Sequence, residues 1–176
     1  MATLVLTLIG PDHPGIVDAL ADVIASHGGN WLESRMAQLA GKFAGVLCVD
    51  VADEQEASLA AALGALEASG LHLVVERGDA PVSVPMQPIE IDLVGQDRPG
   101  LVHEIAYLLA SRRINVEDLA TDRTTAANSG TPMFHAHVRA SVPEGADLGA
   151  LRHGLERLAA DLMAEIRLAE ALGGAR

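Results

Sequence analysis

Aromatic residues are scarce in this sequence, and basic side chains are half as numerous as acidic ones. The 176 residues include 1 Trp, 1 Tyr and 2 Phe, and 24 acidic against 12 basic side chains give a formal net charge of −12. A phosphate backbone requires clustered Lys and Arg, and a single-stranded nucleic acid requires aromatic rings for base stacking. We therefore expect no direct binding of nucleic acid, which leaves open the binding of a DNA-binding protein.

Cysteine occurs only once, and long apolar runs and a targeting segment are lacking. Cys48 is the only cysteine, so no intramolecular disulfide can form, and its apolar neighbours predict a buried, inert thiol. No apolar run approaches the length of a membrane span. Residues 1–10 lack the basic region and the cleavage site of a secretory signal. We expect a cytoplasmic protein with no membrane partner.

The sequence does contain an internal repeat. GPDHPGIV at residues 10–17 returns as GQDRPGLV at residues 95–102, 85 positions later. The same offset aligns residues 4–35 with residues 89–120, and ten of these 32 positions are identical. Self-similarity at a fixed period indicates a duplicated unit. We assign the chain to a first domain at 1–78, a proline-containing linker at 79–88, a second domain at 89–170 and a C-terminal tail at 171–176.

Both copies predict the same order of elements. Alternating apolar residues before the motif indicate a strand, and apolar residues at helical spacing after it indicate a helix. A hairpin that turns near Gly41 follows, and its counterpart has a tip about six residues longer. A second helix comes next, and each copy ends in a strand. In the second copy that last segment, LMAEIRLA, consists of good helix formers, but the repeat predicts a strand, which we adopt.

The predicted order βαββαβ, repeated twice, defines an α+β fold of two tandem ferredoxin-like domains. In each domain two helices cover one face of a four-stranded antiparallel sheet. The uncovered faces and edges need a partner, either the other copy or another chain. We therefore expect a homo-oligomer.

The repeated G-x-D-x-P-G loop joins the first strand to the first helix of each copy. Proline suits a first helical turn, and the glycine after it exposes backbone N–H groups to which a ligand carboxylate could bind, aided by the helix dipole. Asp12 and Asp97 could cap the helix or accept a hydrogen bond from a ligand ammonium, which would suit a free amino acid. An ordinary strand-to-helix turn uses the same residues, and the repeat does not decide between these interpretations.

Asn30 and Asn115 occupy equivalent positions at the start of the next strand. Asparagine there is typical of a helix end in the left-handed conformation. Alternatively, since this strand is expected beside the first strand, its start would approach the motif of a neighbouring domain across a shared edge.

The motifs GPDHPGIV and GQDRPGLV, followed by GGNWLESR and RINVEDLA, resemble those of tandem ACT domains, small ligand-sensing modules of amino-acid metabolism. The two-domain layout is similar to that of the glycine cleavage system transcriptional repressor family. The resemblance implies that ligands bind where two ACT domains meet. Carried over to this sequence, the ligand-binding residues are Asp12, His13, Pro14, Gly15, Ile16 and Asn30, with Asp97, Arg98, Pro99, Gly100, Leu101 and Asn115.

The same resemblance implies a transcriptional co-regulator of glycine and one-carbon metabolism that acts through a protein partner. Glycine and serine are the first candidate ligands. Two alternatives remain open at the level of sequence. One is a detached allosteric subunit of an enzyme of amino-acid metabolism, and the other is a structural dimerisation module.

Signals for catalysis, cofactors and metals are weak. The sequence has neither a phosphate loop nor a nucleophile elbow, and nothing assembles a nucleophile with a base and an orienting group. We therefore predict that the chain is not an enzyme and has no catalytic residues and no cofactor. His135 and His137 would share a strand face, as metal ligands can, but no third ligand is evident and no metal site is predicted.

Overall fold

The computed structural model describes residues 1–78, 85–127 and 129–170. Contacts divide the chain into two units, Met1–Val82 and Ser83–Arg176, which are taken one at a time below. Most of the predicted linker and all of the predicted tail, residues 171–176, lie outside the described residues, as does Asn128 in the second hairpin.

The first unit has a four-stranded antiparallel sheet in the order β2-β3-β1-β4. Short 3-10 turns at Asp53–Gln55 and Leu66–Ser69 flank the second helix. The elements are β1 (Ala2–Pro11), α1 (Ile16–Ser26), β2 (Asn30–Leu39), β3 (Lys42–Val51), α2 (Glu56–Ala65) and β4 (His72–Arg77).

The second unit repeats this arrangement with the sheet order β6-β7-β5-β8. The predicted α+β fold of two βαββαβ domains is therefore confirmed. The elements are β5 (Met86–Gln96), α3 (Leu101–Ser111), β6 (Asn115–Thr125), β7 (Pro132–Pro143), α4 (Leu148–Leu162) and β8 (Glu165–Glu170).

Residues 86–88, assigned to the linker from their proline content, instead begin β5. Pro88 pairs with Ser141 of β7. On its other side β5 pairs with β8 only over residues 89–94. At Pro88 the strand β5 therefore has only one neighbouring strand. Proline, which has no N–H to donate, is tolerated at such an edge position because no sheet hydrogen bond is lost on the open side.

Each unit buries one face of its sheet beneath its two helices. In the first unit alternate residues of β1 point into the core, as the period of two requires. They meet helix residues spaced three or four positions apart, which share one helix face. Residues that are no more than 2% exposed here are Leu4, Leu6, Leu8, Leu20, Ile24, Leu47, Val49, Val51, Leu59 and Leu63.

The strand register matches between the units. Phe43 lies opposite Gly10, and Phe134 lies opposite Gly95. Likewise, Val51 lies opposite Ala2, and Val142 lies opposite Gln87, which is 85 positions after Ala2. The six extra residues of the second hairpin therefore lie beyond the Thr124–Met133 pair, which matches the Leu39–Lys42 pair of the first hairpin.

The end of α4 confirms that the repeat outweighs local helix propensity. Met163 takes a left-handed conformation with φ 50°, and the Ala164 N–H donates to the Ala159 carbonyl at 2.9 Å, which closes the helix. In the first unit Gly70, with φ 86°, occupies the equivalent place. Pairing of Ile166 with Leu93, and of Leu73 with Leu8, establishes this equivalence.

Replacing Met163 with glycine should raise the free energy of unfolding of the second unit by about 0.5–1 kcal/mol, because glycine adopts positive φ without the steric cost of a Cβ. Met163 is 83% exposed, so little packing is lost. Urea unfolding followed by circular dichroism measures the change. Met163→Ala is the control and should not stabilise, and Gly70→Ala should destabilise the first unit by about 1 kcal/mol. A loss of stability in Met163→Gly would contradict this reading of the helix end.

Cys48 does not lie in the core. Its neighbours Leu47 and Val49 face the helices, so alternation places Cys48 on the opposite face of the sheet, where it is half-buried. The prediction of a buried cysteine is therefore wrong. Partial burial still raises the pKa of its thiol, and the Asp50 and Glu33 carboxylates add to the effect.

Candidate functional site

The two repeated loops have nearly identical backbones. Gly15 is the N-cap of α1 with φ 95° and ψ −3°, and Gly100 is the N-cap of α3 with φ 97° and ψ −8°. A Cβ added to Gly15 would meet nothing within 4 Å, so its conformation rather than crowding requires glycine. Pro14 and Pro99 therefore precede the N-cap, and their predicted place in the first helical turn is wrong.

Both helices begin with unsatisfied backbone donors. The first helical hydrogen bonds run from the Ala19 N–H to the Gly15 carbonyl at 2.9 Å, and from the Glu104 N–H to the Gly100 carbonyl at 3.0 Å. The N–H groups of the residues between them have no partner within their helices. No side chain caps either helix, so the capping role predicted for Asp12 and Asp97 is wrong. These donors and the helix dipole together attract an anion.

Burial separates the residues of the first loop into two groups. Asp12, His13 and Pro14 are exposed, whereas Ile16 is 5% exposed and packs into the core. Leu101 is 3% exposed in the same position of the second unit. Ile16 and Leu101 can therefore contact a ligand through their backbone but not through their side chains.

The tip of each hairpin holds the adjacent loop in place. The Asp12 N–H donates to the Gly41 carbonyl at 3.1 Å, and the Asp97 N–H donates to the Pro132 carbonyl at 2.9 Å. In the first unit this tip is a two-residue turn in which Ala40 and Gly41 both have positive φ, as a type I′ hairpin requires.

Asn30 lies far from the loop of its own unit. It pairs with Asp50, which in turn pairs with Thr3 at the start of β1, whereas the loop follows Pro11 at its end. Eight residues of strand separate Thr3 from Pro11, a distance of about 26 Å. Asn115 is equivalent, because it pairs with Ser141, the partner of Pro88. The expectation that this strand lies beside the first one is also wrong, because β3 and β7 intervene.

The two loops differ in their electrostatics. In the second unit the Asp97 carboxylate lies 2.6 Å from the Arg123 guanidinium, and Asp97 is 25% exposed. The Arg98 guanidinium contacts both oxygens of Glu104, at 2.9 and 3.1 Å. Both charged side chains of this loop are therefore engaged within the unit, and Glu104, in the first turn of α3, is neutralised by Arg98.

The first loop lacks these ion pairs. In the sheet register Gln38 occupies the position that Arg123 has in the second unit. Gln38 pairs with Phe43 and Arg123 pairs with Phe134, and each phenylalanine pairs with the first glycine of its motif. Ala19 stands where the second unit has Glu104, at the offset of 85. Among the described residues the Asp12 carboxylate has no ion-pair partner. The first loop therefore leaves the Asp12 carboxylate free for a ligand, and α1, like α3, has one acidic residue in its first turn, Asp18.

Sequence reasoning from the motif missed Arg123, Glu104 and the hairpin tips. Glu104 could have been found as an acidic residue in the first turn of the helix, four residues beyond Gly100. Arg123 required the sheet register, because it lies 26 residues from Asp97 along the chain.

His135 and His137 share the uncovered face of the second sheet, as expected for residues two apart on a strand. The His137 Nδ1 lies 2.6 Å from an Asp92 carboxylate oxygen, and the His135 Nε2 lies 3.0 Å from the Thr124 hydroxyl. Across residues 1–78, 85–127 and 129–170, no three His, Cys, Asp or Glu side chains are grouped to hold a metal ion.

The longest described helix, α4, has 15 residues. No helix in the described part of the chain has both the length and the apolar composition to cross a membrane.

Comparison with known proteins relates the first unit to a known domain family. The sequence model of the ACT domain matches residues 2–76, and the second unit repeats the fold of the first. The chain therefore contains one unit that matches the ACT domain and a second unit with the same sheet order. It resembles the glycine cleavage system transcriptional repressor of Escherichia coli (strain K12), which is 25% identical over 166 residues that cover 92% of this chain and 86% of that protein.

Further likenesses extend over most of the chain. Phosphoserine phosphatase SerB2 of Mycobacterium tuberculosis (strain ATCC 25618 / H37Rv) is 28% identical over 166 residues, which are 90% of this chain and 38% of that protein. A crystal structure of an unknown protein from Galdieria sulphuraria has a TM-score of 0.83 at 24% identity and covers 97% of this chain and 99% of its own. A candidate glycine cleavage system transcriptional repressor has a TM-score of 0.70 at 22% identity, covering 96% of both chains. Both of these solved structures have the same fold as this chain.

Proposed function

We propose that this chain is an amino-acid-sensing regulatory protein without catalytic activity. The observation that carries the proposal is the first loop, where α1 begins with free N–H groups four residues after Asp12, whose carboxylate has no ion-pair partner among the described residues. The N–H groups suit a ligand carboxylate, and Asp12 suits an ammonium. Glycine or serine is the first candidate, from the likeness to the glycine cleavage repressor.

The first loop is the principal ligand site in this proposal. At the second loop Asp97 would have to give up its ion pair with Arg123 to bind a ligand ammonium. Within its own unit Asn30 is too distant to take part. Asn30 and Asn115 can join a site only through a neighbouring domain, as the ACT resemblance implies.

The regulatory output is transcriptional, of glycine and one-carbon metabolism, and passes through a protein partner. The transcriptional output is supported by similarity to a transcriptional repressor over 92% of this chain. Action through a protein partner is supported by the net charge of −12, which disfavours direct binding to DNA. The likeness to a stretch of a phosphatase favours a second candidate, a detached regulatory subunit of an enzyme of amino-acid metabolism.

Capture of partners by the immobilised chain, with and without glycine or serine, separates these roles. A transcription factor whose retention changes with the amino acid supports co-regulation of transcription. An enzyme of amino-acid metabolism supports the second candidate. Retention of neither, or retention that no amino acid alters, would contradict the sensing role.

The purified chain should not bind duplex DNA at physiological salt. Non-specific binding relies on Lys and Arg that neutralise phosphates, and here acidic side chains outnumber basic ones by 24 to 12. Fluorescence anisotropy with a labelled duplex measures the affinity. Direct binding tighter than about 10⁻⁶ M, the strong end of ordinary non-specific affinity, would overturn the need for a protein partner.

A further inference from the structure

A carboxylate of the chain itself lies over the second loop, at a place that is open over the first. One oxygen of Glu104, Oε1, is 3.8 Å from the position that a Cβ on Gly100 would take. Among the described residues, a Cβ on Gly15 would meet nothing within 4 Å. The two glycines have the same left-handed backbone, so the difference arises from the side chains around them.

Arg98 holds the Glu104 carboxylate in this position. One guanidinium nitrogen of Arg98 contacts both carboxylate oxygens, at 2.9 and 3.1 Å. The two residues are six positions apart, one in the loop and the other in the first turn of α3. A hydrogen bond between two charged groups is among the stronger side-chain contacts. The cation of the second loop is therefore engaged by a carboxylate of its own unit.

The anion of the second loop is engaged as well. The Asp97 carboxylate is 2.6 Å from the Arg123 guanidinium and is 25% exposed. Asp97 can therefore accept a hydrogen bond from a ligand ammonium only after Arg123 has moved away. The second unit thus supplies an internal group for each end of a zwitterion, a carboxylate from Glu104 and a cation from Arg123.

We propose that Glu104 and Arg123 close the second loop by taking the places of the two charged ends of an amino acid. This inference rests on the proposed function of the first loop, where neither contact exists. Each partly exposed ion pair weakens a competing ligand by up to about fivefold. Because a ligand must break both pairs and also move Glu104 from the space beside Gly100, the second loop should bind at least about tenfold more weakly than the first.

The first unit provides the substitutions that should open the second loop. Ala19 and Gln38 occupy the positions of Glu104 and Arg123. The double variant Glu104→Ala with Arg123→Gln therefore copies the first loop into the second unit. It removes one acidic and one basic side chain, so the net charge of the chain does not change. The opened loop should bind the amino acid with a dissociation constant of the same order as that of the first loop.

Heteronuclear NMR of the chain, titrated with glycine or serine, follows the two loops separately. Val17 and Val102 are the second residues of α1 and α3, and their N–H groups have no partner within their helices. In the wild type the Val17 amide signal should shift at ligand concentrations at least about tenfold below those that shift the Val102 signal. In the double variant both signals should shift over the same concentration range.

The reciprocal variant should close the first loop. It combines Ala19→Glu and Gln38→Arg with His13→Arg, which supplies the counterpart of Arg98. The Val17 signal of this variant should shift only at ligand concentrations at least about tenfold above those needed in the wild type. A folded reciprocal variant that binds like the wild type overturns the proposal.

Glu156→Ala with Arg152→Gln is the matched control, because it removes the same residue types from exposed positions of α4. It should bind like the wild type, and circular dichroism should show every variant folded. Equal affinities of the two loops in the wild type overturn the proposal, as does a second loop that stays weak in the folded double variant. Both results leave binding by the first loop intact. If neither signal shifts in any variant, the sensing function itself fails, and this inference fails with it.

Discussion

Replacing Leu20 with alanine is expected to lower the free energy of unfolding of the first unit by about 2–5 kcal/mol. Leu20 lies on α1, is 0% exposed and packs in the core between helices and sheet. Its truncation removes apolar contact area and leaves a cavity that the surrounding strands can only partly fill. Because α1 begins with the free N–H groups of the loop, ligand binding should weaken when the helix frays.

Val17→Ala provides the control on the same helix. Val17 is 47% exposed, so its truncation should change the free energy of unfolding by no more than about 0.5 kcal/mol. Urea unfolding of both variants, fitted to two transitions if the units unfold separately, gives the comparison. Similar losses in the two variants would mean that α1 does not pack as described.

Replacing Gly15 with valine is expected to weaken amino-acid binding by about 100-fold or more. A hydrogen bond to a charged group contributes about 1.5–3 kcal/mol, and the ligand carboxylate is proposed to accept at least two from the start of α1. A valine side chain would enter the open space beside Gly15 and keep the carboxylate away. The β-branched residue would also be strained at φ 95°, which turns the neighbouring N–H groups.

Gly100→Val is the matched control, because Gly100 has the same conformation at the same point of the second unit. It suffers equal strain but should retain most of the binding, since the first loop is the proposed principal site. Calorimetric titration of both variants with glycine or serine measures the dissociation constants. Binding lost in Gly100→Val and kept in Gly15→Val would assign the site to the second unit.

The repeat made most of the fold predictable. Two copies of one pattern gave two independent indications of each element, and the clearer copy resolved the ambiguous one. At β8 the residues favour a helix, yet Met163 accepts a left-handed conformation so that the strand can pair with β5. Tertiary pairing outweighs propensity here because a strand edge left without a partner would expose a row of backbone groups.

The candidate site was less predictable, because its geometry depends on strand order. A sequence pattern does not tell that β3 separates β2 from β1, so the strand that begins at Asn30 was wrongly expected beside the first strand. The contrast between the loops depends on Arg123, whose long side chain on β6 reaches past β7 to Asp97 at the end of β5. The motif alone gives two sites that differ at His13 and Arg98, and the sheet register adds the ion pair between Asp97 and Arg123.

Calorimetric titration of the unmodified chain with each of the twenty common amino acids tests the sensing role most directly. The account predicts that a small amino acid, glycine or serine first, binds in the millimolar range or tighter, and that large side chains bind more weakly. If none of the twenty binds at millimolar concentration, the repeated loop is a strand-to-helix turn and the chain is not an amino-acid sensor.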